Sequence, residues 1–190
     1  MRNSVGFVFL FAGLTAIGGN RVAGEQWSDS VAVKHLRPCH LVCVEHRGDT
    51  AGDGEIYDVV LSRLLAWAVP ARIWDFPGAT RLMLVYPDDA EDMPPDQRRL
   101  WMGITVPGGT EVPKDMFFLD LPGGEYAVGS FELAEDEFGR AWGYLLGEWI
   151  PENGLVPGEG YSFEEKKNDS DLHPGKKHLV DICIPVRAAP

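Results

Sequence analysis

Cysteine is scarce in this chain and basic charge is in deficit, and both shortages narrow what it can be. There are three cysteines in 190 residues, an odd number with no Cys-x-x-Cys spacing, so no zinc-ribbon or dithiol redox motif is written into the sequence. Cys39 and Cys43 lie four apart in an extended stretch, about 13 Å from each other, and cannot bridge. Either one of them pairs with Cys183, or all three are small buried apolar residues. There are five histidines. His35, His40 and His46 are too irregularly spaced to face one ion from a single element, so neither a metal nor a cofactor is expected.

Lys and Arg number 17 against 29 Asp and Glu, a net charge of −12. So acidic a chain repels phosphate backbones, which removes nucleic acid from the expected partners. The basic clusters Arg98-Arg99, Lys166-Lys167 and Lys176-Lys177 all sit beside acidic residues, and no helix-turn-helix pattern precedes residue 31. The glycine-rich stretch 48–54 lacks the Gly-Lys-Ser/Thr ending of a phosphate loop and carries two Asp besides. No Ser-His-Asp arrangement is evident.

The uncharged apolar run at 5–17 is shorter than the roughly 20 residues of a membrane-spanning helix. It follows Arg2 and precedes small residues at 18–24, among them Val22-Ala23-Gly24, which is the layout of a secretory signal peptide. Residues 1–24 are therefore expected to direct export, with no stable membrane span after their removal. The alternatives are a retained anchor, or an extra strand or a misassigned start codon, with a cytoplasmic protein as the alternative location. Residues 25–30 read as a linker.

What the sequence does contain is a repeat. The stretch 86–107 has an Asp-rich, Pro-rich loop, a basic pair Arg98-Arg99, a strand and Pro107. The stretch 167–187 has Asn168-Asp169, Pro174, Lys176-Lys177 and a strand through Ile184-Pro185-Val186. Upstream, 37–44 lines up with 121–128. Copies near 80 residues apart are larger than solenoid repeats, and the seam between two such copies is a common place for a ligand pocket.

With 45% hydrophobic residues, the chain can bury one core. Val31–Arg47 alternates as a strand. Ile56, Val59, Val60, Leu64 and Trp67 recur at helical spacing up to Pro70. Strands are predicted at 81–86 and 99–106. In the second half Phe117–Leu119 leads to Gly123-Gly124, followed by strand 126–133. A helix carries Phe138, Ala141, Trp142, Leu145 and Trp149 on one face and closes at Pro151, and strands follow at 161–167 and 179–187. Each half, about 31–107 and 116–187, thus reads strand, helix, strand, loop, strand. The economical packing is α+β, an antiparallel sheet with both helices on one face and a pocket between the halves.

These residues resemble the gyrase-inhibitor-like (GyrI-like) small-molecule-binding family, whose domain also serves AraC-type and MerR-type multidrug regulators as an effector-binding half. The likeness runs over about 31–187. It is carried by Tyr86-x-Asp88-Asp89 with Pro94-Pro95 and Thr105-Val106-Pro107, and by Gly123-Gly124-x-Tyr126-Ala127-Val128. Ala141-Trp142, Gly147-Glu148-Trp149-Ile150-Pro151, Phe163-Glu164, Asn168-Asp169 and Ile184-Pro185-Val186-Arg187 complete it.

The resemblance implies a buried pocket carboxylate at Glu164, suited with aromatic walls to lipophilic cations. By alternation alone, Glu164 shares a strand face with Ser162 and Lys166, which is equally a solvent face. Trp142 is core on its helix, or a stacking wall by the family pattern. Trp149 reads as core. Tyr86 and Tyr126 offer hydroxyls at a pocket rim, or cap a sheet edge. The chain departs from the family at Lys166, which replaces a pocket Tyr and can neutralise Glu164. It departs also at Pro87 and at Cys183, each standing where the family has a Tyr.

The expected function is binding of an amphipathic small molecule, cationic ones included, by a monomer or homodimer that senses or sequesters it. One alternative is a cofactor-independent hydrolase of reactive electrophiles, with Glu164 as its base. The other is a gyrase-binding module, which requires a cytoplasmic protein.

Overall fold

The computed structural model describes residues 27, 30–48, 54–88 and 93–190. The expected leader, and residues 25, 26, 28 and 29 of the expected linker, lie outside them. Among the described residues no helix is long and apolar enough to cross a membrane.

The fold is α+β. In chain order it runs β1 (Val31–Leu36), β2 (Cys39–Arg47), α1 (Gly54–Ala68), β3 (Leu82–Tyr86), β4 (Arg99–Val106), β5 (Phe117–Leu121) and β6 (Gly124–Leu133). Then come α2 (Phe138–Tyr144), β7 (Leu155–Pro157), β8 (Ser162–Lys166) and β9 (His178–Ala188). The main sheet has the order β1-β6-β9-β8-β3-β4-β2-β5, with β7 paired to β9. Every pairing is antiparallel. The order is symmetrical about the β8–β3 pair, with β1 standing to β6 as β5 stands to β2.

The single strand expected over Val31–Arg47 is two. Pro38 has no N–H to give a ladder, and at Arg37-Pro38 the chain leaves one end of the sheet for the other. Each half accordingly places two strands before its helix, not one, and lends an edge strand to the other half. Both exchanged edges carry a His–carboxylate contact: His35 Nδ1 lies 2.6 Å from Glu125 Oε1, and His40 Nδ1 2.6 Å from Asp120 Oδ1.

This connectivity dictates a curled sheet. In a flat one, six strand spacings would separate β1 from β2 by about 29 Å, whereas the link from Leu36 to Cys39 reaches only about 10 Å. The ends are drawn together, and the β5–β6 corner presses on the β1–β2 corner. A Cβ on Gly123 would stand 2.6 Å from the Leu36 carbonyl oxygen and 2.8 Å from the Pro38 nitrogen. Inside the curl Leu41, Cys43, Met83, Val85, Leu121, Tyr126, Phe163 and Cys183 form one apolar cluster.

Both helices cover the outer face. Val60, Leu64 and Ala68 of α1 pack on Val42, Leu84 and Ile104, whereas Val59, expected on the same helical face, is exposed. Ala141, Trp142 and Leu145 pack on Ala127, Ile182 and Ile184. The second helix closes one residue past Pro151. It continues from α2 through a π-helical segment, Leu145–Trp149, to Glu152. A proline has no N–H for the carbonyl four residues back and its ring crowds that carbonyl; the wider π turn accommodates it.

The three thiols are free, with Cys43 and Cys183 buried. Burial pushes the Cys43 thiol up to about 12 and raises Cys183 as well. Both are unreactive packing residues of the inner cluster.

Candidate ligand site around Glu164

Strand alternation decides what β8 offers to each side of the sheet. Phe163 and Glu165 point into the curl, and Ser162, Glu164 and Lys166 point to the helices. On the inner side Glu165 is held by Arg81 and by Lys167 Nζ at 2.6 Å, and Lys167 also reaches Asp181 at 3.0 Å. Burial pushes the Glu165 carboxyl up, but the hydrogen bonds from Arg81 and Lys167 outweigh it and the group is held below its ordinary value.

Glu164 sits on the outer side, opposite Leu84 of β3 and Ile182 of β9. Leu84 belongs to the α1 core and Ile182 to the α2 core. The carboxylate therefore stands where the two outer cores meet, and only 4% of the residue is exposed. Tyr86, at the end of β3, packs against both cores.

Burying a carboxylate is tolerable only when its lone pairs are taken. Glu164 Oε1 accepts the Tyr86 hydroxyl at 3.0 Å and the Trp142 indole N–H at 2.8 Å. Its Oε2 accepts Lys166 Nζ at 3.0 Å. The Tyr86 hydroxyl is in turn hydrogen-bonded to Tyr57 of α1. Burial, and then the charge of Glu164, raise the Tyr86 phenol well above its ordinary value, so it stays a donor.

The outer rim belongs to α2 and β9. Glu137 accepts the Ala134 N–H at 2.9 Å and fixes the start of the helix, which brings Phe138 and Trp142, four apart, onto one face. The Lys166 ammonium lies over the Phe138 ring, 4.3 Å from its centroid. His178 meets the same ring at 5.4 Å, edge to face. Burial, and then the neighbouring Lys166 charge, hold the His178 imidazole below its usual range.

Of the six residues expected at the site, the structure brings four together: Glu164, Trp142, Tyr86 and Lys166. Tyr126 and Cys183 lie on the other face of the sheet. Cys183 is opposite Phe163, one step out of phase with Glu164. Tyr126 stacks edge-on against Phe163 at 5.5 Å, with its hydroxyl 3.4 Å from the Pro122 carbonyl. Three residues of the cluster, Tyr57, Phe138 and His178, were not expected there. Tyr57 was legible, since it precedes Val60, Leu61 and Leu64 at helical spacing. His178 was not, because its neighbours come from α2 and β8.

Two open cavities lie elsewhere. One of about 300 Å³ sits beside Tyr126 between Gly123-Gly124 and Gly158. Another of about 510 Å³ sits between Arg72-Ile73 and Thr105-Val106. Neither touches Glu164. Among the described residues no group of three or more His, Cys, Asp or Glu is placed to hold a metal ion.

A symmetrical, curled antiparallel sheet under two helices, with a buried carboxylate at the junction of their cores, defines a class of α+β binding domain. The chain belongs to the GyrI-like family, described as a GyrI-like small molecule binding domain, whose model matches residues 30–187. A DNA gyrase inhibitor of Serratia proteamaculans (strain 568) is 30% identical over 117 residues, covering 57% of this chain and 70% of that protein. Among solved structures, the EcmrR C-terminal domain superposes with a TM-score of 0.67 at 14% identity, over 84% of this chain and 98% of that one. SAV2435 bound to tetraphenylphosphonium superposes with a TM-score of 0.52 at 13% identity, over 83% and 93%. At these identities the two structures speak for the fold alone.

Proposed function

We propose that the chain binds an amphipathic small molecule at the seam around Glu164, and so senses or sequesters it. The observation that carries this reading is the carboxylate itself. It is buried where the two helical cores meet and is oriented by donors from β3, α2 and β8. Apolar packing in the same place is often at least as stable, so recognition is what the buried carboxylate adds. The aromatic surfaces of Tyr86, Trp142 and Phe138 around it suit the apolar part of an amphiphile.

Thermal denaturation against a panel of neutral and cationic aromatic amphiphiles tests the reading. Tetraphenylphosphonium belongs in the panel because SAV2435 holds it. At least one compound is expected to raise Tm saturably, and Glu164→Gln to abolish that response. A panel that leaves Tm unchanged overturns the reading.

The hydrolase alternative is weakened by the same geometry. A general base needs an open lone pair aimed at water, and three donors already converge on Glu164. The gyrase-binding alternative is favoured by relatives such as the Serratia inhibitor. Inhibition of gyrase supercoiling by the purified protein would support it.

Export by residues 1–24 is part of the proposal, and it excludes a cytoplasmic partner. Mass spectrometry of the mature N-terminus decides between them. Trimming after residue 24 is expected, and a retained Met1 on cytoplasmic protein overturns it.

A further inference from the structure

The position a cation would take beside Glu164 is already filled, and by this chain. Lys166 is two residues from Glu164 on the same strand face. Its ammonium lies 3.0 Å from Oε2 and 4.3 Å from the centroid of the Phe138 ring. A carboxylate on one side and an aromatic face on the other are the two elements that hold an organic cation. Trp142 and Tyr86 pin the carboxylate from the opposite side, so it cannot swing away from Lys166. The side chain is 17% exposed against 5% for Glu164, which places Lys166 between the carboxylate and solvent.

We propose that Lys166 is a tethered occupant of the cation position and the residue that sets this site's specificity, excluding monocations and leaving uncharged amphiphiles as the ligand class. This rests on the reading of the Glu164 seam as a ligand site. A free cation must displace a group whose effective concentration, over so short a tether, is millimolar or higher. It must also leave the displaced ammonium close to itself, which is unfavourable. An uncharged ligand faces neither obstacle, because the Lys166–Glu164 pair is neutral as a unit.

Chemical complementation tests the proposal. Lys166→Ala removes the ammonium and opens a space of its own shape next to an unneutralised carboxylate. n-Butylammonium is expected to raise the Tm of Lys166→Ala saturably, with affinity at least about tenfold above that for the wild type. Uncharged n-butanol should not, and the gain should vanish in Lys166→Ala/Glu164→Gln. Lys166→Met, which keeps the bulk and loses the charge, serves as the folding control and should show no n-butylammonium gain.

Equal n-butylammonium responses in wild type and Lys166→Ala overturn the proposal. So does a folded Lys166→Ala that ignores the ion. In either case, a neutral aromatic amphiphile that still stabilises the wild type leaves the ligand-site reading standing. If no compound stabilises the wild type while n-butylammonium rescues Lys166→Ala, the tethered cation holds and the ligand-site reading fails.

Discussion

Trp142 and Tyr86 meet edge to face, 5.4 Å between ring centroids at 84°, and both donate to the same oxygen of Glu164. One comes from the second helix and the other from the strand that ends beside the first, so a single carboxylate oxygen ties the two outer cores together. Each bond reaches a buried charged acceptor, the setting in which a hydrogen bond contributes most.

Trp142→Phe keeps a ring on the α2 face and removes the N–H. It is expected to cost about 1.5–3 kcal/mol, and Tyr86→Phe a comparable amount. Because both donors act on Oε1, the double variant should differ from the sum of the singles by at least about 0.5 kcal/mol. Urea denaturation of the four proteins reads this, and additive values would mean that the two donors act independently.

His178 reports on the same site through its titration. Burial and then the Lys166 charge lower its pKa, so the folded protein binds that proton less readily than the unfolded chain does. The stability this contributes is fully present above the ordinary histidine value, about 6.5, and is lost as pH falls through the folded value. NMR titration should place the His178 ring below its ordinary value. Lys166→Met should move it upward, and an unchanged titration would mean that the ammonium does not face the ring.

The sequence was most legible where one strand or helix carries the signal. Period-2 alternation put Glu164 and Lys166 on one face, and helical spacing put Trp142 on the covered face of its helix. What it did not convey is set by pairing between distant segments. Tyr126 and Cys183 have the composition of pocket residues, but their registers opposite Pro185 and Phe163 turn them into the curl. The break at Arg37-Pro38 was written in the proline, yet that β1 crosses to the far half depends on β6, about 90 residues downstream. Alternation makes Lys166 a neutraliser of Glu164, whereas its seat over Phe138 exists only once α2 has docked.

Glu165 contributes to the acid limb of stability. Arg81 and Lys167 hold its carboxyl below the ordinary value against the effect of burial. A depressed carboxyl contributes stability above its unfolded value, about 4.3, and loses it as pH falls through the folded value. Glu165→Gln should therefore cost roughly 2 kcal/mol at pH 7, and the gap to wild type should shrink as pH falls below about 4. Parallel pH–stability curves for the two proteins would rule out this role.

The curl of the sheet makes the most demanding prediction. Gly123 lies where the two corners touch, and the atoms that a Cβ would meet are the Leu36 carbonyl oxygen, the Pro38 nitrogen and the Pro38 ring. Backbone cannot rotate aside as a side chain can, so Gly123→Ala must push the corners apart and loosen the inner cluster between them. A cost of about 2 kcal/mol or more is expected, at the upper part of the overpacking range. Gly143 provides the contrast: it is exposed on α2 and a Cβ there meets nothing within 4 Å. Gly143→Ala should stabilise by about 0.5–1 kcal/mol through helix propensity and reduced freedom of the unfolded chain. If Gly123→Ala leaves Tm unchanged or raises it, as Gly143→Ala should, the corners are not in contact and the sheet is not drawn closed at Gly123.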